Sequence, residues 1–295
     1  MDAKKFGGIY TALLTPFDKD NKVNKTELEK LVKFNVKNGV SGFYVTGSTG
    51  EAFLLSTDER KEVMEIIKNA APDKTLIAHI GSLNINEAVE LGKHANKLGY
   101  DAVSSVAPYY YKFSFDEIKN YYCRLADESA LPMLVYHIPA FSGVAMGTGE
   151  LAQFMTDDRF LGVKYTSNDF FTMEQIKTAF PDRIVYNGYD EMCLCGLTMG
   201  ADGAIGSTYN FMADKFVAIR EKFLAGDIAG AQDIQKEANR IITVLCKLGV
   251  MQAEKEVLSQ LGFDFGDCRE PFGKLTDEQK KTVADEIVPF VTAKL

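Results

Sequence analysis

Short apolar runs alternate with longer amphipathic segments along most of the chain. The runs are Ile9 to Phe17, Gly42 to Thr46, Thr75 to Ile80, Ala102 to Ala107, Met133 to Ile138, Phe160 to Thr166, Arg183 to Asn187 and Gly203 to Ser207. They are rich in β-formers, and the stretches between them are long enough for helical crossovers, so the pattern predicts parallel strands joined by helices. Eight such strands are the number that closes a (β/α)8 TIM barrel. Helix starts recur with one chemistry: Asn24 precedes Glu27, Ser56 precedes Glu59, Asn84 precedes Glu87 and Ser114 precedes Glu117. Each pair has capping-box spacing, and the repeat of roughly thirty residues fits one strand-loop-helix unit.

The rival architecture is a doubly wound open sheet. Neither a full GxGxxG turn nor a GxxxxGK[ST] loop accompanies any strand-to-helix junction, which removes its usual nucleotide signatures. Beyond Gly226 the strand signals stop. Ile228 to Leu248 and Met251 to Leu261 read as helices, and Thr276 opens a last one with Gln279 as capping partner. We therefore expect a catalytic barrel over 1–225 and a helical appendage over 226–295, continuous with the barrel.

The 295 residues are 46% hydrophobic and 25% charged, which supplies a sizeable core and argues against bulk disorder. A net charge of −8 without a dense basic run argues against a nucleic-acid partner. No stretch approaches the ~20 apolar residues of a membrane span, and the amino terminus lacks the apolar segment of a signal peptide. A cytoplasmic enzyme acting on a small molecule is the expectation. Five scattered cysteines read as reduced thiols, and three histidines offer little for a metal, so neither a metal nor a cofactor is expected.

In such a barrel the strand ends build the active site, so they are read together. Lys164 lies inside Phe160-Leu161-Gly162-Val163-Lys164-Tyr165-Thr166, a run that otherwise belongs in a core. A buried lysine tends to lose its proton, and a neutral amine attacks ketones to form Schiff bases; a strand-end lysine also reaches solvent by snorkelling. Gly47-Ser48-Thr49-Gly50-Glu51 is either a plain turn or a cradle for a carboxylate or phosphate. Tyr136 puts a phenol beside Lys164, suited to proton transfer or simply to packing. Ala107 to Tyr111 concentrates three phenols in a loop that suits packing or an interface. Gly188-Tyr189-Asp190-Glu191 offers two carboxylates for polyol hydroxyls, or a helix start, and Ser207 adds a small polar end.

The set Leu14-Thr15-Pro16-Phe17, Gly47 to Glu51, Tyr136 with Pro139, and Gly162-Val163-Lys164 resembles, in order and spacing, the N-acetylneuraminate lyase and dihydrodipicolinate synthase superfamily. The likeness runs nearly the full length. It implies a class I, metal-independent pyruvate aldolase with Lys164 as the Schiff-base lysine and Tyr136 as the proton carrier. Three features resemble the lyase branch: Phe141 where the synthase carries arginine, Lys164-Tyr165-Thr166-Ser167, and the Gly188 to Glu191 turn. His137 departs from the asparagine often found beside the tyrosine.

The resemblance further implies that Ser48 and Thr49 hold the substrate carboxylate. Thr166, Gly188, Asp190, Glu191 and Ser207 would hold the sugar chain. Tyr110 would reach a neighbouring subunit of a homotetramer and order its Tyr136. The implied reaction cleaves N-acetylneuraminate to pyruvate and N-acetylmannosamine. A pyruvate aldolase for another 2-keto sugar acid and a noncatalytic sugar-acid-binding barrel are the alternatives.

Overall fold

A computed structural model describes residues 3–293. Eight strands form its centre: β1 (Gly8–Ala12), β2 (Gly42–Val45), β3 (Thr75–His79), β4 (Ala102–Val106), β5 (Met133–His137), β6 (Phe160–Tyr165), β7 (Ile184–Asn187) and β8 (Gly203–Gly206). All pair in parallel in chain order, and β8 returns to β1 through Gly8↔Gly203 to Thr11↔Gly206, so the sheet is a closed barrel. Around it run α1 (Lys25–Lys37), α2 (Thr57–Ala70), α3 (Ile85–Lys97), α4 (Phe115–Ser129), the short α5 (Pro139–Ser142), α6 (Thr148–Met155), α7 (Phe170–Ala179), α8 (Cys193–Thr198) and α9 (Tyr209–Leu224). Three more follow: α10 (Ile228–Leu248), α11 (Val250–Gln260) and α12 (Asp277–Glu286).

Seven of the eight predicted runs match their strands to within a residue or so at each end. The first does not: pairing stops at Ala12, and Leu13 to Pro16 continue as a buried loop. Burial without ladder pairing looks like strand in an apolar pattern. The loop is held by bonds that the pattern does not encode, Leu13 N–H to Tyr44 O at 3.1 Å and Leu14 N–H to Asn210 Oδ1 at 3.1 Å.

Full capping boxes close the starts of α2, α4 and α12 at Ser56, Ser114 and Thr276. At α1, Asn24 accepts from Glu27 N–H as its spacing predicts. At α3, Asn84 instead accepts from Asn86 N–H and uses its amide to reach the Glu87 carboxylate.

Strand alternation divides the core into two layers. Tyr10, Tyr44, Ile77, Leu134, Tyr136, Leu161, Tyr186 and Ile205 pack inside the barrel, whereas Val45, Val103, Val135, Val163 and Val185 face the helices. The outer layer runs without interruption into Ala238, Ile241, Leu245, Val257 and Leu258 of α10 and α11, so the carboxyl-terminal helices share the barrel's core. Gly162 in β6 has φ +155°, and a Cβ there would lie 1.9 Å from Ile184 O. Only glycine allows β6 and β7 to approach this closely, beside the register irregularity that β6 makes with β5.

Candidate active site

The register of three neighbouring strands assembles the centre. Tyr136 of β5 pairs with Lys164 of β6, which pairs with Tyr186 of β7, so all three side chains enter the barrel at one level. Lys164 is 4% exposed. Its Nζ lies 4.1 Å from the centre of the Tyr136 ring and 4.4 Å from that of Tyr44. The Tyr44 ring is itself anchored, donating to Ser104 Oγ at 3.0 Å. Burial pushes the Lys164 amine down to about 7, against the opposing pull of Asp190. Near neutral pH a large share of Lys164 is therefore a free amine, as nucleophilic attack requires.

Burial raises the Tyr136 phenol to about 12, against the hydroxyls of Ser48 and Thr166, which favour the phenolate. Tyr136 therefore stays protonated at neutral pH. Its neighbour in sequence, His137, faces outward and stacks on Tyr165 at 4.9 Å, and burial lowers it to about 4. That ring is a neutral packing element outside the cavity.

The turn after β2 is bonded to itself, Gly50 N–H to Gly47 O and Glu51 N–H to Ser48 O at 3.0 Å each, and Thr15 Oγ1 donates to Gly50 O. This fixes Ser48 and Thr49 at the cavity wall. Glu51, in a left-handed conformation with φ 57°, turns away and pairs with Lys255 of α11 at 2.5 Å. Its other oxygen accepts from Arg269 N–H at 2.7 Å.

On the opposite wall, Asp190 is buried and its Oδ2 accepts from both the N–H and the hydroxyl of Thr208, at 2.9 and 2.7 Å. Burial raises it to about 6. Gly188 packs so tightly that a Cβ would fall 1.9 Å from Thr166 Oγ1. The resulting cavity has a volume of about 270 Å³. Ser48, Thr49, Tyr136, Lys164, Thr166, Gly188, Asp190, Glu191 and Ser207 all border it, a set drawn from five strand ends. Tyr110 does not: it is 82% exposed on the loop after β4. Phe141, 81% exposed on α5, stands at the lip between this cavity and an adjoining apolar cleft of about 730 Å³.

With this geometry in place, comparison with known proteins is decisive at the family level. A model of the dihydrodipicolinate synthetase family matches residues 5–288. The chain belongs to that family. Within the dihydrodipicolinate synthetase family it is 46% identical to the N-acetylneuraminate lyase of Rhizobium meliloti, over 97% of this chain and 96% of the relative. It is also similar to two solved structures, each with a TM-score of 0.94. One is the N-acetylneuraminate lyase of Fusobacterium nucleatum complexed with pyruvate, 40% identical over 98% of this chain and 99% of that one. The other is CdNal of Clostridium difficile in complex with mannosamine, 39% identical over 97% and 99%.

Several cavity residues escape a reading of this family's strand ends. Ile242, Leu245 and Cys246 of α10 and Val250 and Met251 of α11 close one side. Tyr189 and Thr208 also line the cavity, and Tyr44 backs the Lys164 amine from within the barrel. Tyr189 lies inside the Gly188 to Glu191 turn without an assigned role, and Thr208 follows Ser207 by one position. The contributions of α10 and α11 carry no local signal, because they arrive by packing from beyond α9, more than 30 residues after the last strand end.

Proposed function

We propose that this chain is a class I aldolase that reversibly cleaves N-acetylneuraminate to pyruvate and N-acetyl-D-mannosamine. The observation that carries the reading is Lys164, a buried amine lowered to about 7 between two phenol rings at the carboxyl end of the barrel. The lyase relatives supply the substrate class.

Neutral Lys164 attacks the keto carbon of the open-chain substrate, whose carboxylate rests on Ser48 and Thr49. The carbinolamine hydroxyl takes the Tyr136 proton and leaves as water, giving a protonated imine paired with the phenolate. That phenolate accepts the proton of the C4 hydroxyl as the C3–C4 bond breaks. The bonding electrons flow into the iminium, and N-acetylmannosamine departs. The remaining enamine is protonated at C3 and hydrolysed, which releases pyruvate and restores the amine.

In this reading Thr166, Gly188, Asp190, Glu191 and Ser207 hold the polyhydroxy chain. The exposed Tyr110 reaches the site of a neighbouring subunit in a homotetramer. Five unpaired thiols fit a reducing, cytoplasmic setting, and among the described residues no helix is long and apolar enough to cross a membrane.

The test is incubation with N-acetylneuraminate in excess EDTA, with pyruvate and N-acetylmannosamine quantified together. Equal release is the expected result. No release by protein that still forms a borohydride-trapped pyruvate adduct on Lys164 would assign a different aldol acceptor. Loss of the adduct as well would leave a binding barrel.

A further inference from the structure

Two consecutive residues at the end of β8 are each held by a buried carboxyl group. Thr208 is held by Asp190, from the turn after β7. Ser207, which borders the cavity, donates through Oγ to Glu254 Oε1 at 2.7 Å. Glu254 comes from α11, 47 residues further along the chain, and is fully buried. Its second oxygen has no hydrogen-bond partner among the described residues. Val250 and Met251, one turn earlier on α11, form part of the cavity wall. A buried carboxyl with one free oxygen is costly to keep unless the contact it makes is needed.

We propose that Glu254 is a positioning residue for the polyhydroxy end of the aldol acceptor, acting through Ser207. The inference rests on the aldolase reading above. A serine hydroxyl rotates freely and can face the cavity as donor or acceptor. Anchored on Glu254, its oxygen occupies one place and one orientation at the cavity wall. Burial and the nearby Asp190 push the Glu254 carboxyl up to about 8, so at neutral pH it is a neutral acid that a glutamine side chain imitates.

The experiment compares Glu254→Leu, Glu254→Gln, Ser207→Ala and the Ser207→Ala/Glu254→Leu double variant. KM and kcat for N-acetylneuraminate cleavage are read alongside borohydride trapping of pyruvate alone. The leucine variant should raise KM about five- to ten-fold with kcat held within about two-fold, as loss of one ordered hydrogen bond predicts. Glutamine should restore the wild-type KM. The double variant should be no worse than Ser207→Ala, because a residue that acts through another adds nothing once that other is gone. Pyruvate trapping by the two Glu254 single variants should equal that of wild type.

A second readout needs only the glutamine variant. Above about pH 8 the wild-type carboxyl ionises, and the bond it accepts from Ser207 becomes charge-assisted, which locks the Ser207 proton away from the cavity. Wild-type KM should then climb relative to the glutamine variant. Asp190, Cys246 and Cys268, which face Glu254 from the β7 turn, α10 and the segment after α11, are common to both. Superimposable KM curves up to pH 9, or losses that multiply in the double variant, would overturn the inference. If wild type releases no pyruvate from N-acetylneuraminate, the N-acetylneuraminate reading itself fails.

Discussion

Lys164 shows how a residue's surroundings convert a common side chain into a reagent. Its amine is displaced from the usual lysine range to about 7 chiefly by burial, and the two flanking phenols offer ring faces instead of a carboxylate. Catalysis needs the unprotonated form, so kcat/KM should fall about ten-fold per pH unit below about pH 7. A profile flat from pH 5 to 7 would remove the amine from the rate-determining path. Lys164→Ala should lower turnover at least about a thousand-fold with secondary structure intact, and Tyr136→Phe should lower kcat about 10²–10⁴-fold.

The same displacement has a cost in stability. The folded-state value lies below that of the unfolded chain, so between about pH 7 and the ordinary lysine range the unfolded chain binds more protons. Stability owed to this group therefore rises with pH across that window and is lost as pH falls to about 7. Lys164→Met should be inactive yet more stable at pH 7, by on the order of 2 kcal/mol. Urea midpoints should show this gap narrowing at pH 9.

At the level of elements, the strands were legible because each is apolar, short and followed by a crossover of regular length. The ends of those strands were legible as a site because a barrel's topology sends them all to one face. Lys164, Tyr136, Ser48 and Asp190 thus group together by their places at strand ends alone. What could not be read was the contribution of α10 and α11. Glu51 sits in a recognisable turn, but nothing local to it indicates that Lys255, about two hundred residues later, would neutralise it. Long-range packing of this kind follows from the assembled shape, and hydrophobic periodicity reports only which face of each helix is buried.

That pair is also where an element-scale perturbation should be largest. Lys255→Met would leave the Glu51 carboxylate buried without its cation and should cost about 3–5 kcal/mol in denaturant unfolding. Adding Glu51→Gln should recover much of the loss, and strict additivity would argue that the two do not act as a pair. Gly188→Ala should push Thr166 aside and raise KM without comparable loss of fold.

The whole molecule presents Tyr110, Tyr111 and Phe113 together on the loop after β4, all exposed. Their sequence suggested an interface, and in a single chain they serve no core. If Tyr110 completes a neighbour's site, Tyr110→Asp should lower assembly in analytical ultracentrifugation and turnover together. A fully active monomer would separate the two.

The closed sheet carries one more consequence, which concerns how the chain is made. Gly8 of β1 finds its second neighbour only when Gly203 of β8 has left the ribosome. Until then the growing polypeptide carries two open edges whose amides and carbonyls invite other chains. Nascent chains halted before β8 should accordingly depend on chaperones and aggregate when released, whereas those extended through α11 should fold. The last third of the gene product would then decide both when the ring shuts and when the site acquires its final wall.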